Sequence, residues 1–315
     1  MISRRAFLGG SAVAVVGGAL APKWARAWQQ PQQQAPPPVT PVFTEIRRNV
    51  GFFTGRGGTI GYLIDAKGVA VVDSQFRDSA KLLLDGLNER SKNRPVDRLI
   101  NTHHHGDHTD GNIVFKGVAK KVVAQEKAAE LMHAPPGPNG PTPPTTEQLY
   151  PDTTFKETWR EQVGDEWIAA KFYGVAHTSG DVAVTFERAN IVHMGDLLFN
   201  GRQPIIDRAA GASIKNWIVV LEKVAKDHGK DTSFIAGHAG MNIPVLCTQA
   251  EVMKLRDFFT ALMGFVGAQI KAGKSRDDIM AMRDPMPGFE AFGPFGNPGA
   301  REPRSVAYEE LTSKI

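Results

Sequence analysis

The sequence predicts an α/β fold built in layers, because strand-like and helix-like segments alternate along the chain with antiparallel hairpins among them. One hairpin is indicated by "TIGYLID" and "VAVVD", which surround the short turn "AKG". Apolar residues make up 42% of the chain, enough for a sizeable core. Near the end of the chain an amphipathic helix is indicated by apolar residues at steps of three and four: Val252, Leu255, Phe259, Leu262 and Val266.

The other predicted elements follow in chain order. Strands begin near Val42, and a helix is predicted over about 78–90. "VDRLINT" indicates a short buried strand, and "KKVVAQEKAAELMH" indicates a strand followed by a helix. Strands resume at "EWIAAKFYG", "DVAVTFE" and "NIVHMGD", and a helix over about 213–227 leads to the strand "TSFIAG". Residues 134–151 contain seven prolines, a density that predicts an ordered loop or flap.

The first 27 residues have the pattern of an export signal. Arg4 and Arg5 precede an apolar run that ends near Ala21, and "ARA" then places small residues where a signal peptidase reads them. The run is shorter than the roughly 20 residues that span a bilayer, so no stable membrane span is expected in the mature protein. The arginine pair resembles a twin-arginine signal, which implies the Tat export machinery as a partner and a periplasmic or secreted protein. An ordinary secretory signal with a chance arginine pair is the alternative.

The segment 28–41, "WQQPQQQAPPPVTP", lacks apolar periodicity and predicts a tether. A folded domain is expected over 42–245, with a helical C-terminal extension over 246–315 packed on it. The single cysteine, Cys247, permits no internal disulfide and is interpreted as a small buried apolar residue.

The charge balance gives no indication of a nucleic-acid partner. The whole chain has 37 basic and 33 acidic residues, and the export signal contains four of the bases and none of the acids. The mature chain therefore has 33 of each and no overall basic bias. A small-molecule substrate is expected instead, and the sequence leaves the oligomeric state open.

The stretch "NTHHHGDHTDGN" contains four of the nine histidines of the chain. His103 and His105 are two residues apart, so both side chains can point the same way from an extended chain after a strand. Asp107 and His108 are adjacent and can face different directions, whereas a continuous helix would scatter the four residues. We therefore expect a loop, with Gly106 permitting a sharp turn between the two pairs. Imidazole and carboxylate are ligands that zinc accepts. A surface cluster with accidental spacing is the alternative.

Together with four other motifs, this stretch resembles the signature of the metallo-β-lactamase superfamily over about residues 43–245. "GVAHTSGD", "HMGDLLF" and "IAGHAG" contribute His177, Asp196 and His238, each shortly after a strand, and Asp73 ends a strand in "VVDS". The resemblance implies a four-layer αββα sandwich, with metal ions in a cleft at one edge of the two sheets.

The resemblance also implies a ligand set for two metal ions. The first ion would be held by His103, His105 and His177. The second ion would be held by Asp107, His108 and His238. Asp196 would bridge the two ions, at the position where some β-lactamases have a cysteine. Two zinc ions are expected, and the nitrogen and oxygen donors also fit iron or manganese.

The chemistry expected from such a centre is hydrolysis by a hydroxide shared between two metal ions. Asp107 is the expected catalytic residue, which would orient the hydroxide and pass on a proton. The bond cleaved would be an ester, a thioester, a lactone or an amide such as a β-lactam. The alternatives are a non-hydrolytic periplasmic metal-binding accessory protein and an iron-dependent sulfur dioxygenase. Two other histidines are expected outside the ligand set: His104, turned away from the metals or touching a ligand, and His193, buried in a strand.

Overall fold

The computed structural model describes residues 38–134, 147–296 and 301–313 of the chain. The predicted export signal, most of the predicted tether and residues 135–146 of the proline-rich loop lie outside the described residues. Within the described part of the chain, no helix combines the length and the apolar character needed to cross a membrane.

The first β-sheet has seven strands, which lie side by side in the order of the chain. They are β1 (Val42–Arg47), β2 (Val50–Thr54), β3 (Ile60–Asp65), β4 (Gly68–Val72), β5 (Arg98–Ile100), β6 (Val122–Gln125) and β7 (Thr153–Phe155). β1 to β4 are antiparallel neighbours, which confirms the predicted hairpin at β3 and β4. β4 to β7 are parallel neighbours, and parallel strands need long crossover connections.

Helices occur in these crossover connections. α1 (Arg77–Ser91) connects β4 to β5, close to the predicted helix over 78–90. Between β5 and β6 lie the one-turn helix α2 (Gly106–Thr109) and a 3₁₀ helix, Asp110–Phe115. α3 (Glu126–Met132) follows β6 directly, as predicted.

The second β-sheet has six strands, which also lie in chain order but leave out two short strands from this part of the chain. In spatial order they are β8 (Thr158–Val163), β9 (Glu166–Phe172), β10 (Val182–Phe186), β11 (Ile191–His193), β13 (Ser233–Ile235) and β15 (Leu246–Cys247). β15 pairs with β13, so this sheet includes two residues that follow position 245. The two remaining strands, β12 (Phe199–Asn200) and β14 (His238–Ala239), form a short parallel pair of their own.

Four α-helices follow β11 in the described part of the chain: α4 (Ile214–Asp227), α5 (Gln249–Lys271), α6 (Arg276–Ala281) and α7 (Pro303–Thr312). The five residues of the predicted amphipathic stripe all lie on α5 and are fully buried, which confirms that the stripe is core. α7 also caps the N-terminus of α4. The Glu310 carboxylate accepts hydrogen bonds from the backbone N–H groups of Ile214 at 2.7 Å and Lys215 at 3.1 Å.

Three apolar clusters separate four layers. Leu83 of α1 packs with Val71 on the outer face of the first sheet. The next residue along β4, Val72, points the other way and packs between the sheets against the β10 residue Val184. On the outer face of the second sheet, Trp217 of α4 belongs to the cluster that also includes residues of α5 and α7. The predicted four-layer αββα sandwich with a helical C-terminal region is confirmed.

Candidate metal centre

The segments that follow β5, β9, β11 and β13 bring the seven predicted ligand residues to one edge of the two sheets. The residues are His103, His105, Asp107, His108, His177, Asp196 and His238. Most are buried. The exceptions are the Asp107 side chain, which is 32% exposed, and the His238 side chain, which is 12% exposed.

The local structure of the histidine stretch differs from the predicted loop. The chain is irregular from His103 to His105, but Asp107 and His108 lie on the helical turn α2. The prediction of a loop throughout was therefore wrong. The two pairs still face different ways because the backbone is extended at His105, with φ −62° and ψ 144°, and becomes helical immediately afterwards.

The role predicted for Gly106 was also wrong. Gly106 is the first residue of α2 and is absent from the positive-φ residues of the described chain, so it makes no left-handed turn. A Cβ at this position would lie 3.0 Å from Oδ1 of Asp110, so a larger residue would require the Asp110 side chain to shift. A closer approach occurs at Gly58, where a Cβ would lie 2.1 Å from Cε1 of His108.

The first cluster is formed by three imidazole nitrogens that point at one another. Nε2 of His103 lies 3.1 Å from Nδ1 of His105, and Nε2 of His177 lies 2.9 Å from the same nitrogen. Four nitrogen ligands arranged tetrahedrally at zinc distances of about 2.0–2.1 Å are about 3.3 Å apart. The spacing of the three rings is therefore close to that of a metal-binding set.

The other nitrogen of each ring donates a hydrogen bond to a protein oxygen. The pairs are His103 Nδ1 with Thr102 Oγ1 at 3.0 Å, His105 Nε2 with Asp207 Oδ2 at 2.9 Å, and His177 Nδ1 with the Ile205 carbonyl at 2.7 Å. The Thr102 hydroxyl donates its own proton to Asp73 Oδ2 at 2.7 Å, so it accepts from His103. A carboxylate and a carbonyl only accept.

These bonds determine the tautomer of each ring. Burial lowers the pKa of His177 to about 3 and holds the pKa of His103 well below its usual range, so both rings are neutral at pH 7. A neutral ring has one N–H, and His103 and His177 each use it on the outer oxygen. The Nε2 lone pairs of His103 and His177 therefore point inward beside Nδ1 of His105, which is an arrangement suited to a bound cation.

The second cluster combines His108, His238 and Asp107. Nδ1 of His108 donates to Asp73 Oδ2 at 2.7 Å, and its Nε2 lies 3.4 Å from Nε2 of His238. That His238 nitrogen lies 3.1 Å from Oδ2 of Asp107. Burial disfavours a charged His108, but the carboxylates of Asp196, Asp107 and Asp73 outweigh it and hold the His108 pKa well above its usual range. The surroundings of His108 therefore favour a positive charge.

Asp196 lies between the two clusters with one oxygen towards each. Oδ2 is 3.3 Å from Nε2 of His177, and Oδ1 is 3.0 Å from Nε2 of His108 and 3.5 Å from Nε2 of His238. Oδ1 is buried, and its neighbours within the described residues are these ring nitrogens rather than a backbone or hydroxyl donor. A carboxylate oxygen that faces imidazole nitrogens in this way fits a metal ligand.

Two of the remaining predictions are confirmed by burial. His193 is fully buried in β11, and its Nε2 donates to the carbonyl oxygen of Thr59 at 3.0 Å. Cys247 is 4% exposed in β15, and burial raises the pKa of its thiol to about 12. His104 lies beside the His105 ring, with 4.5 Å between ring centroids. It is buried, and neither of its ring nitrogens has a hydrogen-bond partner among the residues that the structure describes.

Several residues of the site carry no signal in the sequence. Asp207 lies in "PIIDRAAG", far from any histidine motif, and Thr102 is one threonine among many. Asp73 matches the family pattern, but only the structure shows that its carboxylate accepts hydrogen bonds from both His108 and Thr102. A cavity of about 420 Å³ opens over the clusters, and its wall includes Arg202 and Arg301.

The model of the Metallo-beta-lactamase superfamily matches residues 54–238, which is more than half of the chain. The chain belongs to the metallo-β-lactamase superfamily. It is therefore a hydrolase of that superfamily, with His/Asp clusters suited to divalent metal ions.

Relatives and solved structures agree with this assignment. Metallo-beta-lactamase IND-1 of Chryseobacterium indologenes is 24% identical over 196 residues, which are 61% of this chain and 77% of that protein. Metallo-beta-lactamase type 2 of Bacillus cereus is 25% identical over 196 residues, 61% of this chain and 72% of the relative.

Two solved structures show the same fold. A metallo-beta-lactamase from Pontibacter korlensis superposes with a TM-score of 0.58 at 19% identity, over 70% of this chain and 99% of the other. A double mutant of the sec-alkyl sulfatase PisA1 superposes with a TM-score of 0.65 at 16% identity, over 86% of this chain and 50% of the other. At these identities the superfamily fold is what the structures share.

Proposed function

We propose that the protein is a binuclear metal-dependent hydrolase that cleaves an ester, thioester, lactone or amide (β-lactam) bond of a small molecule. The observation that carries the proposal is the convergence of three imidazole nitrogens beside a second cluster, with one carboxylate oxygen of Asp196 facing each cluster. Two divalent ions about 3.5–4 Å apart supply a nucleophile from water at neutral pH and polarise the carbonyl under attack.

The residues divide into two sets. The first metal position would be held by His103, His105 and His177. The second would be held by Asp107, His108 and His238. Asp196 would serve both positions. Zinc suits these nitrogen and oxygen donors, and iron or manganese also fits them.

Asp107 is the residue best placed to accept a proton from the attacking water and pass it on. Its carboxylate faces the cavity and is the most exposed of the seven candidate ligands, at 32% for the side chain. Burial disfavours the charged form, but the imidazoles of His108 and His238 outweigh it and lower the Asp107 pKa to about 2. The carboxylate is therefore ionised at neutral pH and can accept a hydrogen bond from the attacking water, orient it, and pass its proton to the leaving group.

Buried carboxylates behind the rings have a positioning role. Asp207 holds His105, while Asp73 holds His108 directly and His103 through Thr102. A carboxylate behind an imidazole selects the tautomer and raises the basicity of the nitrogen that faces the metal. Asp73 therefore supports one ring of each cluster.

The alternative functions are not favoured. A sulfur dioxygenase with one iron would leave the second cluster without a role. The curated relatives are named as β-lactamases, which are hydrolases, so hydrolysis is also a better match than a metal-binding accessory role.

We also propose that the protein is exported through the Tat machinery and that the mature chain begins near Trp28, as "ARA" before the glutamine- and proline-rich tether indicates. The division into a domain over 42–245 and an extension over 246–315 is part of the same proposal. The intact mass of protein recovered from the periplasm tests export, and a mass that retains residues 1–27 would contradict it.

Metal content and hydrolysis measured on the same preparation test the proposed reaction. We expect close to two metal ions per chain by elemental analysis after mild dialysis. A panel of esters, thioesters, lactones and β-lactams should contain a substrate whose hydrolysis is abolished by a chelator and restored by zinc. A single ion per chain would contradict the binuclear centre, and a fully loaded protein that hydrolyses nothing in the panel would contradict the reaction.

A further inference from the structure

The loop between β12 and α4, residues 201–213 (the support loop), lies behind two of the three rings of the first cluster. The carbonyl oxygen of Ile205 accepts a hydrogen bond from His177 at 2.7 Å, and the carboxylate of Asp207 accepts one from His105 at 2.9 Å. A partner behind an imidazole fixes the orientation of the ring. The position of the support loop therefore determines where two candidate ligands of the first metal position point.

Both chain neighbours of Asp207 are held by the C-terminal part of the chain. The backbone N–H of Ile206 donates to the carbonyl oxygen of Arg301, just before α7, at 3.2 Å. The Arg208 guanidinium donates to Oε1 of Glu309, on α7, from Nε at 3.1 Å and from Nη2 at 2.9 Å. This stretch of the support loop is therefore placed by contacts with the far C-terminal segment.

The end of the support loop is held by Glu310 of α7. α4 begins at Ile214, directly after the loop, and the first N–H groups of a helix have no partner within the helix. Oε1 of Glu310 accepts from the N–H of Ile214 at 2.7 Å, and Oε2 accepts from that of Lys215 at 3.1 Å. The Ser213 hydroxyl accepts from the N–H of Asn216. One buried carboxylate of α7 thus pairs the first two N–H groups of α4, and its negative charge favours that end of the helix.

α7 is anchored to the other helices of its layer. Val306 and Ala307 are fully buried in the apolar cluster that includes residues of α4 and α5. The Arg304 side chain is also fully buried, and its Nη1 donates to the carbonyl oxygens of Ile279 at 3.0 Å and Met280 at 3.3 Å, on α6. α7 is therefore a fixed support for the loop.

We infer that Glu309 and Glu310 are positioning residues for the first metal position. Through these two carboxylates, α7 holds the support loop in the place from which its oxygens orient His105 and His177. The inference rests on the metal centre of the proposed function. It assigns a role at that centre to a helix outside residues 54–238, the part of the chain that matches the superfamily model.

The second metal position is supported by other parts of the fold. His108 is anchored by Asp73, which follows β4 of the first sheet, and His238 stacks on the ring of Phe199. Neither of these contacts involves the support loop or α7. A change at α7 should therefore weaken the first position and spare the second.

Zinc affinity tests the inference. Metal-free protein is titrated with zinc in competition with a chromogenic chelator, which gives one affinity for each metal position. Glu310→Ala leaves the first two N–H groups of α4 without their carboxylate. We expect zinc affinity at the first position to fall at least about tenfold and affinity at the second position to stay within about twofold of wild type. Glu310→Gln retains one acceptor oxygen and should recover part of the loss.

A His238→Ala background assigns the affected position. His238 is a candidate ligand of the second position, so the zinc affinity that remains in this background belongs to the first. Adding Glu310→Ala should lower that affinity at least about tenfold. Adding Glu309→Ala should lower it less, because the Glu309 side chain is 50% exposed and solvent weakens its ion pair with Arg208. Unchanged affinity in both double variants would overturn the inference.

Glu251→Ala is the matched control. The Glu251 carboxylate caps the start of α5, in the same helical layer, by accepting hydrogen bonds from the backbone N–H and the hydroxyl of Thr248 at 2.7 Å each. The variant loses a helix cap as Glu310→Ala does, so thermal unfolding should show a similar loss of stability. Both zinc affinities should stay at their wild-type values. An equal loss of affinity in the control and in Glu310→Ala would count against the positioning role, because general destabilisation would then explain both.

A second readout needs neither metal nor turnover. Amide hydrogen exchange of the metal-free protein, followed by mass spectrometry, reports how firmly the support loop is held. In Glu310→Ala, exchange in residues 201–213 should become at least about tenfold faster than in the wild type, whereas Glu251→Ala should leave it unchanged. Wild-type exchange rates in the support loop of Glu310→Ala would contradict the inference.

The outcomes separate the inference from the proposed function. Equal zinc affinities in the wild type and Glu310→Ala would overturn the positioning role and leave the proposed hydrolase intact. A wild type that binds two zinc ions, with a first position that depends on Glu310, but hydrolyses no substrate of the panel would contradict the proposed reaction and support the positioning role. A wild type that binds no zinc would overturn both.

Discussion

The two clusters of candidate ligands differ in how firmly the protein holds them. In the first, each of the three rings is anchored by a protein oxygen behind it, and the His103 and His177 side chains are at most 1% exposed. In the second, only His108 has such an anchor. His238 stacks on the Phe199 ring, and its Nδ1 has no hydrogen-bond partner within the described residues.

This difference suggests that the first cluster mainly binds its metal ion tightly, whereas the second cluster takes part in the reaction with substrate. A buried, anchored set holds its geometry before any ion arrives, and the entropy of ordering its side chains is lost during folding. The second set faces the cavity and includes the exposed carboxylate of Asp107, so it has room for substrate and for a change of ligand during the reaction. We therefore expect mutations in the first cluster to be more damaging.

The largest effect is expected from His103→Ala. It removes one of three converging nitrogens in a fully buried position that no other residue can fill. The variant should lose the metal of the first cluster, and kcat/KM should fall by at least about a thousandfold, or roughly 4 kcal/mol. Elemental analysis and hydrolysis of the best substrate in the panel measure both. His133→Ala, at an exposed histidine stacked on Tyr150, is the control. Activity within tenfold of wild type would contradict the assignment.

A smaller loss is expected from His238→Ala. This residue belongs to the less anchored cluster, so the variant should keep about one metal per chain and lose the second preferentially. Activity should fall by about a hundredfold, or roughly 2.7 kcal/mol. Titration of the metal-free variant with zinc gives the number of tight sites. Full occupancy together with full activity would show that His238 is not a ligand.

Asp207→Asn tests the support behind the first cluster without removing a ligand. The amide oxygen of asparagine can still accept a hydrogen bond from His105. The negative charge that makes the other His105 nitrogen a stronger metal ligand is lost. Metal affinity of the first position should fall about ten- to a hundredfold. Competition with a chromogenic chelator measures this affinity. An equal loss at both positions would indicate a general structural defect.

The buried side of the site should also show a distinctive pH dependence of stability. Asp181 accepts hydrogen bonds from the backbone N–H and the hydroxyl of Thr178, next to His177, yet burial raises its pKa from 3.8 to about 6. As pH rises from about 4 to about 6, the unfolded chain releases this proton while the folded protein retains it. The group therefore makes folding progressively less favourable over that range.

Asp181→Asn cannot ionise and should remove this effect. Relative to wild type, the metal-free variant should gain about 2 kcal/mol of unfolding free energy between about pH 4.5 and pH 7. Urea unfolding at the two pH values gives the difference. Parallel pH profiles for the two proteins would show that Asp181 does not remain protonated in the fold.

The smallest effect concerns substrate choice. Esters, thioesters and lactones have leaving groups that depart with little help, whereas a β-lactam nitrogen needs stabilisation by a well-tuned second metal. Because the second cluster is the less anchored one, kcat/KM for an activated lactone or thioester should exceed that for any penicillin or carbapenem by at least about tenfold, roughly 1.4 kcal/mol. Steady-state kinetics on the zinc-loaded protein decides this, and efficient hydrolysis of a carbapenem would refute it.

Much of the fold was predictable because its signals are local. The β3–β4 hairpin, α1, α4 and the buried stripe of α5 follow from periodicities that the chain shows over a few residues. β7, β8 and the two-residue strands β12, β14 and β15 were missed. In β8 the alternate residues are mostly only partly buried, and strands of two or three residues are too short to show any period.

The helical turn at Gly106–Thr109 was missed for a different reason. Four residues carry too little periodicity to indicate a helix, and the turn is held by contacts outside itself. The Asp107 carbonyl accepts from the backbone N–H of Gly58 at 2.9 Å, and the His108 carbonyl accepts from that of Ser74 at 2.7 Å. Tertiary packing therefore outweighed the weak local preference.

The sequence by itself determined the types and the order of the candidate ligands and the layered α/β class, because motif spacing and apolar periodicity are properties of neighbouring residues. Only the tertiary structure decided which oxygens stand behind the rings and which charges line the cavity. Asp207 reaches His105 across 102 positions of sequence, and Arg301 reaches Asp207 across 94. Contacts between residues so far apart depend on how the two sheets and the C-terminal helices pack, and no short stretch of the chain encodes them.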